Sequence, residues 1–503
     1  MADLLMGFSS ALQPESLLFT IIGTVLGIIF GALPGLTSTM AVALLIPLTY
    51  GMGPVAGMGM LVGAFCGGTA GGSVSATLLR IPGTPSSICT TFDAYPMAQK
   101  GKAGLALGTS VICSFIGGIF SLFVLSILAP QLASFALQFG PLEYFGLALL
   151  GLTIIASISG KSMSKGLIAG LIGVFASFAG VDQVTGMTRL TFGNSNLLSG
   201  FSLLPVLIGL FAISQAFTES ENLGGMQDNG ELVNGGKVKA EFPKFKLLLQ
   251  KWKIMLSSSI IGTVIGILPG AGGSIASFVA YDQAKRMSKT PEEFGKGNIE
   301  GVIASETSNN AMTGGALVPL LSLGIPGDTT TAVMLGGLLI HGLRPGPLLF
   351  RDDMNIVYGI FVTLLIANIA MVVFQTIGIR FFVKIMKIPR YVLTPLVIVL
   401  CTIGAYGTNL NLFDVYVMLF FGVIGYLTTK LNYGVAPIVL GFILGSMAEV
   451  HLRRGAEMYS GFSALFDRPI ALVLVIASVL LLLAPFVSKA KQSKKAKAAN
   501  TAN

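Results

Sequence analysis

Two halves of this chain contain the same pair of Pro-Gly interruptions inside long uncharged stretches. A Leu-Pro-Gly motif occurs at 33–35 and again at 268–270, and an Ile-Pro-Gly motif occurs at 81–83 and again at 325–327. Proline removes a backbone donor and clashes with the preceding helical turn, and glycine frees the backbone further. Because non-helical backbone survives in hydrocarbon only when it is buried in protein or lines a wet cavity, these motifs indicate broken helices inside a bundle. Such interruptions at matching places in two hydrophobic halves point to a secondary transporter's binding site.

The surrounding sequence is that of a membrane protein. No charged residue occurs between Glu15 and Arg80, and the chain is 53% hydrophobic but only 11% charged, against about 25% charged residues in soluble domains. A spanning helix needs roughly 20 apolar residues, so the longest uncharged runs must cross or half-cross more than once, and we expect about 10 to 13 crossings. A β-barrel is excluded because its strands alternate apolar and polar residues over about 10 positions. The sequence therefore predicts an all-α, polytopic helical membrane protein with discontinuous, hairpin-forming helices.

The duplicated motifs predict two internal repeats, which we expect to be inverted because that arrangement lets one scaffold open to either side. The Ile-Pro-Gly motifs are further apart than the Leu-Pro-Gly motifs, so the second repeat carries an insertion, which we place in the polar stretch 282–297. The predicted order is a first repeat (16–110), connecting helices (111–218), a cytoplasmic loop (219–252), a second repeat (253–350), closing helices (351–488) and a basic cytoplasmic tail (489–503).

Lysines cluster in two places beside the apolar runs. They are Lys237, Lys239, Lys244, Lys246, Lys251 and Lys253 in the long polar loop, and Lys489, Lys491, Lys494, Lys495 and Lys497 after the last run. The positive-inside rule puts both clusters in the cytoplasm, together with the C-terminus. Next to membrane spans this interpretation is preferred to a nucleic-acid patch. Residues 1–13 contain no lysine or arginine and no small-residue cleavage site, so we predict no secretory signal peptide.

No cofactor or metal cluster is expected. The four cysteines, Cys66, Cys89, Cys113 and Cys401, are far apart, and the two histidines, His341 and His451, are solitary. No Cys/His spacing typical of zinc or iron–sulfur sites occurs. A bound sodium ion is the one exception that we consider.

Each Leu-Pro-Gly motif predicts a half-helix whose N-terminus opens within the membrane. Thr37, Ser38 and Thr39 follow the first motif and precede the short apolar segment 40–50, whereas glycines follow the second motif. Free N–H groups there carry about half a unit of positive charge and accept a carboxylate, and successive glycines let backbone amides form an anion-holding nest.

Each Ile-Pro-Gly motif predicts a turn that opens a further helix. Thr84 and Asp328 follow the two motifs and offer oxygen atoms as helix N-caps. A carboxylate repels an anionic substrate, so Asp328 suits a sodium ligand or a proton carrier if it does more than cap its helix. The residues predicted to bind substrate are Pro34, Gly35, Thr37, Ser38, Thr39, Gly83, Thr84, Ser86, Pro269, Gly270, Gly272, Gly273, Ser274, Gly327, Thr329 and Thr330.

A small, polar patch precedes each Ile-Pro-Gly motif, at 66–73 and at 306–315. Its amides, hydroxyls and carbonyls are the hard oxygen ligands that alkali cations use. Glu306 is flanked by apolar sequence and is therefore a functional candidate, although a position at the membrane edge is the alternative. Arg80 either pairs with a carboxylate or extends to the interface, and Arg344 is expected in a loop. The residues predicted to couple a cation are Thr69, Glu306, Ser308, Asn309, Asn310, Thr313 and Asp328.

At these motifs the chain resembles the large membrane subunit of the tripartite tricarboxylate transporters, the TctA family. The resemblance rests on the segments GALPGLTSTMAVALLIPLTYGM (31–52), GTAGGSVSATLLRIPGTPSS (68–87), GILPGAGGSIASFVAYDQAKRMSK (266–289), FGKGNIEGVIASETSNNAMTGGALVPLLSLGIPGD (294–328) and LIHGLRPGPLLF (339–350). It implies a multi-pass protein of the bacterial inner membrane that works with a small membrane subunit of about four helices. It also implies a periplasmic binding protein that delivers carboxylates such as citrate, with uptake driven by a sodium or proton gradient.

Two other classes of function remain as alternatives. A passive anion channel requires a ring of repeated charges or filter carbonyls, whereas two non-identical repeats favour one site per chain. A membrane-embedded enzyme is less favoured, because no HExxH motif occurs, and the chain has no GxxxxGK[ST] motif for ATP hydrolysis. The chain is therefore predicted to be a carrier and not an enzyme.

Overall fold

The computed structural model describes residues 2–158, 163–182, 184–221, 240–385, 390–459 and 462–483. The predicted basic tail lies outside these residues, as do Lys237 and Lys239 of the predicted loop. Within the described part, eight helices are long and apolar enough to cross a membrane, and six shorter apolar helices accompany them. The prediction of an all-α polytopic membrane protein is confirmed.

The helices of the first half are α1 (Ala2–Ala11), α2 (Pro14–Ala32), α3 (Ser38–Leu45), α4 (Pro54–Leu79), α5 (Ile88–Met97), α6 (Ala103–Ala136), α7 (Pro141–Ile158), α8 (Met163–Ser177), α9 (Leu203–Leu207) and α10 (Ser214–Glu221). Short 3-10 turns extend α3 (Ile46–Thr49) and precede α5 (Pro85–Ser87). Two short antiparallel strands, β1 (Gly180–Val181) and β2 (Thr188–Arg189), follow α8.

The helices of the second half are α11 (Phe245–Gln250), α12 (Trp252–Ile267), α13 (Gly272–Met287), α14 (Ile299–Leu323), α15 (Thr329–Ile340), α16 (Pro347–Asp352), α17 (Met354–Ile385), α18 (Arg390–Asn409), α19 (Leu412–Lys430) and α20 (Val435–Met458). A last apolar helix, α21, covers Pro469–Leu483. The chain divides into two compact units, the first formed by 1–137 and 203–426 and the second by 138–202 and 427–503.

The first unit contains both repeats, each built around a pair of parallel helices. In the first repeat α2 packs along α4, and a Cβ at Gly23 would lie 2.0 Å from the Met60 carbonyl oxygen. In the second repeat α12 packs along α14, and a Cβ at Gly262 would lie 2.2 Å from the Ser308 carbonyl oxygen. Glycine permits this close approach in lipid, where no hydrophobic force drives helices together. Between the two parallel helices the chain folds back as a hairpin, through α3 in one repeat and α13 in the other.

The contacts of unit 1 show that the repeats run in opposite directions. The beginnings of α2, α4 and α17 meet at one end, where Glu15, Gly53 and Asn355 line a common pocket, and we call this the Glu15 end. The beginning of α14 lies at the other end, the Lys251 end, where Lys251 pairs with Glu300.

Helix α4 joins the two ends. Its last turn, with Val74 and Leu78, packs against Ala98 and Ala103, which flank the turn between α5 and α6. The end of α5 is tied to the beginning of α14, because Asp93 accepts hydrogen bonds from loop residues up to Asn298. Helices α4 and α14 therefore start at opposite ends, as expected for inverted repeats.

The loop before α14 contains most of the extra length of the second repeat. Residues 288–298 separate α13 from α14, whereas residues 50–53 separate the corresponding elements of the first repeat. Asp93 Oδ1 accepts hydrogen bonds from the N–H groups of Gly295, Gly297 and Asn298 at 2.7–2.9 Å, and Asp93 Oδ2 accepts one from the Tyr281 hydroxyl at 2.7 Å. One buried carboxylate of the first repeat thus orders the inserted loop of the second.

In the second unit, α20 packs against α7 and α8, and a Cβ at Gly441 would lie 2.1 Å from the Gly170 carbonyl oxygen. A charged cluster joins α20 to the β1–β2 loop. Arg189 donates to Glu449 at 2.6 Å, and Arg453 donates to Asp182 at 2.5 Å. These ion pairs fix a loop that has little regular structure of its own.

Candidate functional site

Four helix N-termini converge on one cavity of about 330 Å³ in unit 1. They are the N-termini of α3 and of the Pro85–Ser87 turn from the first repeat, and those of α13 and α15 from the second. The lining residues are Thr37, Ser38, Thr39, Phe65, Thr69, Thr84, Pro85, Ser86, Phe211, Gly270, Ala271, Gly272, Gly273, Ser274, Met312, Asp328, Thr329 and Thr330. The helix starts that follow the four duplicated motifs therefore line a common chamber.

The first Leu-Pro-Gly motif ends α2 and lets α3 begin at the cavity. Thr37 is the N-cap of α3, and its hydroxyl accepts a hydrogen bond from the Met40 N–H at 3.2 Å. The Thr39 hydroxyl lies 2.8 Å from that of Thr330 and 3.3 Å from that of Thr329. These bonds connect the N-terminus of α3 with that of α15 across the repeats.

The second Leu-Pro-Gly motif lets α13 begin on the opposite wall. Gly270 and Gly272 have φ of +79° and +65°, values that glycine adopts without strain. The Gly270 N–H donates to the Gly327 carbonyl oxygen at 2.8 Å, which joins the two motifs of this repeat. The Ser277 hydroxyl donates to the Ser86 carbonyl oxygen at 2.7 Å, so α13 is also fastened to the first repeat.

Both Ile-Pro-Gly motifs end in capped helix starts. Thr84 closes a capping box with Ser87, whose hydroxyl accepts from the Thr84 N–H at 3.2 Å. Asp328 Oδ1 accepts the N–H and the hydroxyl of Thr331 at 2.8 Å and 2.7 Å. The predicted capping function of Asp328 is thus present, and its predicted part in cation coupling stays a prediction.

The predicted site residues fall into two groups in the structure. Those that line the cavity are Thr37, Ser38, Thr39, Thr69, Thr84, Ser86, Gly270, Gly272, Gly273, Ser274, Asp328, Thr329 and Thr330. Those absent from the lining are Pro34, Gly35, Gly83, Pro269, Gly327, Glu306, Ser308, Asn309, Asn310 and Thr313. Five of these residues form the turns behind the wall: Pro34, Gly35, Gly83, Pro269 and Gly327. The other five belong to α14: Glu306, Ser308, Asn309, Asn310 and Thr313.

Gly35 and Gly83 illustrate how the turns are built. A Cβ at Gly35 would lie 2.2 Å from Glu219 Oε1, and a Cβ at Gly83 would lie 1.9 Å from the Gly31 carbonyl oxygen. Both glycines therefore permit close packing of the chain on itself. Pro34 faces a separate small pocket beside Gln215.

The cavity combines positive helix ends with one acidic side chain. Asp328 is the charged residue among those lining it, and none of the described lysines or arginines contributes to the wall. Each helix N-terminus carries roughly half a positive charge, so the four ends together outweigh the one carboxylate. The chamber is suited to an anion with more than one negative charge.

Glu306 is completely buried in the helix bundle. Its Oε1 accepts a hydrogen bond from the Thr90 hydroxyl at 2.5 Å, and its Oε2 accepts one from the Ser114 hydroxyl at 3.1 Å. Asn310 donates to Ser114 Oγ at 2.7 Å. Glu306 and Asn310 therefore face α5 and α6 through a polar network.

Asn309 faces a different neighbour from Glu306. Its Nδ2 lies 3.5 Å from the Thr69 carbonyl oxygen, and its Oδ1 is buried without a hydrogen-bond partner. A Cβ at Gly273 would lie 3.0 Å from this Oδ1. Asn309 thus lies directly behind the cavity wall, next to the start of α13.

Both arginines considered from the sequence lie away from the chamber. Arg80 ends α4 in a left-handed conformation and lies over the Tyr95 ring at 5.8 Å, and Arg344 is exposed in the loop after α15. Sequence reasoning missed the apolar lining residues Phe65, Phe211 and Met312, because nothing in the sequence distinguishes them from other buried residues of membrane helices.

Comparisons with known proteins found similar sequences. A family model described as "Tripartite tricarboxylate transporter TctA family" matches residues 17–440. Two proteins of Agrobacterium vitis are similar to this chain. One, an "Uncharacterized 52.8 kDa protein in TAR-I ttuC' 3'region", is 36% identical over 98% of both chains. The other, an "Uncharacterized protein in TAR-II ttuC' 3'region", is 37% identical over 45% of this chain and 95% of its own length. No solved structure matches the chain.

Proposed function

Since the chain belongs to the tripartite tricarboxylate transporter TctA family, we propose that it is the large membrane subunit of a secondary transporter that imports citrate-like carboxylates. Its partners in this proposal are a small membrane subunit and a periplasmic binding protein that delivers the substrate. A sodium or proton gradient across the bacterial inner membrane drives uptake.

The convergence of four helix N-termini on one chamber supports this proposal most directly. A carboxylate at such an end accepts hydrogen bonds from free N–H groups and gains from the helix dipole. The Thr39, Ser86 and Thr330 hydroxyls add further donors on both walls. A molecule with two or three carboxylates reaches more than one helix end, so the chamber favours it over a monocarboxylate.

The inverted repeats suggest how the chamber changes its access. One half of the wall belongs to the repeat whose helices α2 and α4 start at the Glu15 end, and the other half to the repeat whose helices α12 and α14 start at the Lys251 end. Movement of one repeat against the other exposes such a central site to each side in turn. Lys100, Lys251 and Lys253 lie around the Lys251 end, so the positive-inside rule assigns that end to the cytoplasm.

Uptake into proteoliposomes that contain this chain and its two partners tests the proposal. Radiolabelled citrate should accumulate above the outside concentration when an inward sodium or proton gradient is imposed, and accumulation should stop when the gradient is collapsed. A chain that only equilibrates citrate, with or without a gradient, is a channel. Recovery of the label in a chemically altered product would instead favour the enzyme alternative.

A further inference from the structure

We propose that the Glu306 carboxylate, with the hydroxyls of Thr90, Ser114 and Ser305, forms the binding site for the sodium ion that drives transport. This inference rests on the proposed function and adds to it the identity and the place of the coupling ion. The site is separate from the substrate chamber and lies where α5, α6 and α14 meet.

Five oxygen atoms are the proposed ligands of the ion. Besides the two Glu306 oxygens and their partners Thr90 and Ser114, the Ser305 hydroxyl lies 3.2 Å from Thr90 Oγ1. The Ser305 hydroxyl donates its proton to the Gly301 carbonyl oxygen at 2.8 Å and accepts a hydrogen bond from Thr90 Oγ1, so one lone pair remains for an ion. Carboxylate and hydroxyl oxygens are hard ligands, the class that alkali and alkaline-earth cations prefer.

The surroundings of Glu306 differ from those of two other buried carboxylates of this unit. Glu300 pairs with Lys251, and Asp93 accepts hydrogen bonds from three backbone N–H groups. Within the described part of the chain, Glu306 forms no ion pair. An isolated carboxylate inside a protein is strongly destabilised unless a cation neutralises it.

The surrounding hydroxyls favour a metal cation as the neutralising partner. A proton needs only one carboxylate oxygen, whereas a sodium ion requires several oxygen ligands around it. The Thr90, Ser114 and Ser305 hydroxyls are all completely buried, and rotation of a hydroxyl turns its lone pairs toward an ion without moving the helix. Three such groups next to one carboxylate therefore form a preorganised oxygen shell.

The position of Thr90 links this site to the chamber. Thr90 lies one helical turn after Ser86, which lines the chamber, and Glu306 lies on the helix that contributes Met312 to the wall. An ion held between Thr90 and Glu306 fixes the N-terminal part of α5 against α14. Sodium binding therefore orders one of the four substrate-binding helix ends, which provides the required coupling.

Sodium-dependent thermal unfolding of the purified full-length chain tests the site without requiring transport. Sodium chloride should raise the unfolding temperature relative to choline chloride at equal ionic strength, because ligands that bind the folded state stabilise it. We expect Glu306→Gln to abolish this rise and Thr90→Val to increase the half-saturating sodium concentration at least about tenfold. Thr91→Val is the matched control, because the hydroxyl of the neighbouring Thr91 donates to the Ile88 carbonyl oxygen and not to Glu306.

The same variants in proteoliposomes separate this inference from the proposed function. Thr90→Val should require more sodium for half-maximal citrate uptake, and Thr91→Val should not. An unchanged sodium response in Glu306→Gln or Thr90→Val would overturn the site. If uptake by Glu306→Gln lost its pH dependence but kept its sodium dependence, the site would also be overturned, because Glu306 would then carry a proton. If sodium stabilises the wild type through Glu306 but no citrate accumulates, the site stands and the transport proposal fails.

Discussion

Thr39 Oγ1 lies 2.8 Å from Thr330 Oγ1, although the two residues are 291 positions apart. Thr39 belongs to the first turn of α3 and Thr330 to the first turn of α15, so the bond joins a helix N-terminus of one repeat to that of the other. Both residues line the chamber. In the proposed function, their hydroxyls exchange the bond to each other for bonds to the substrate.

Replacing either threonine by valine should weaken substrate binding. Thr39→Val and Thr330→Val keep the shape of the side chain and remove one hydroxyl, worth about 1 kcal/mol for a neutral hydrogen bond. Each variant should raise the half-saturating citrate concentration about fivefold, and Thr39→Ser should stay close to wild type. Equilibrium binding or uptake kinetics would measure the change.

The double variant Thr39→Val/Thr330→Val provides the internal check. The effects of substitutions at residues in direct contact are not additive. The loss of binding free energy in the double variant should therefore be smaller than the sum of the two single losses. Strict additivity would contradict direct coupling of the two hydroxyls.

Gly273→Ala should abolish uptake while leaving the protein in the membrane. A Cβ at this position would lie 2.7 Å from the Ser86 Cβ and 3.0 Å from Asn309 Oδ1, so α13 must move away from the first repeat. Gly407→Ala in α18 is the control, since a Cβ there meets no atom within 4 Å. Uptake by both variants, normalised to the amount of protein in the membrane, measures the effect. Full activity of Gly273→Ala would show that α13 can move away from the first repeat without loss of transport.

Asp328→Asn should lower the half-saturating citrate concentration. Asparagine caps a helix about as well as aspartate, so α15 keeps its start while the acidic group of the chamber wall loses its charge. Asp328→Ala should also lose the cap, at a cost of about 1 kcal/mol in folding stability. Citrate titrations of both variants, with thermal unfolding in parallel, separate the two effects. A raised half-saturating concentration in Asp328→Asn would instead indicate that Asp328 recruits a cation.

The ionised side chain of Asp182 should stabilise the second unit at neutral pH. The Val184 N–H and the Thr185 hydroxyl hold the pKa of Asp182 well below its usual range, and Arg189 and Arg453 lower it further. The lowered pKa means that the ionised form stabilises the fold. This contribution is complete above the ordinary aspartate pKa of about 3.9 and is lost as the pH falls further.

Asp182→Asn should therefore unfold at a lower temperature than wild type at pH 7, and the difference should shrink at pH 3. The control is Asp352→Asn, which removes an exposed ion pair with Arg351, because exposed pairs contribute little to stability. Thermal unfolding in detergent at the two pH values measures both variants. An equal difference at pH 7 and pH 3 would show that ionisation of Asp182 is unimportant.

Much of the fold follows from patterns that physical chemistry makes unambiguous. Uncharged runs, Pro-Gly breaks and the duplicated order of motifs were enough to predict a helical membrane protein with broken helices. The sequence does not determine the direction of the repeats, because it depends on the number of membrane crossings between them. Short helices such as α3 and α13 turn back instead of crossing, so that number cannot be read from the sequence. Contacts such as that of Leu78 with Ala98 were needed to show which ends meet.

The chamber was predictable on its polar side and unpredictable on its apolar side. Thr37 and Ser274 follow interruptions that only a buried helix start explains, so their positions could be inferred. Phe65 and Phe211 lie in ordinary apolar segments, and only the folded chain shows that they face the cavity. Thr90 was equally hidden, because its partner Glu306 is 216 residues away.

The anchoring of Asp93 has a consequence for the resting molecule. At the Lys251 end this carboxylate holds the inserted loop through three backbone N–H groups and the Tyr281 hydroxyl, whereas at the Glu15 end the last turn of α15 contacts α3 through His341 and Thr49 at 3.0 Å. Separating Asp93 from its partners breaks four hydrogen bonds, whereas separating His341 from Thr49 breaks one. In the proposed orientation, these bonds favour a substrate-free carrier that is closed on its cytoplasmic side.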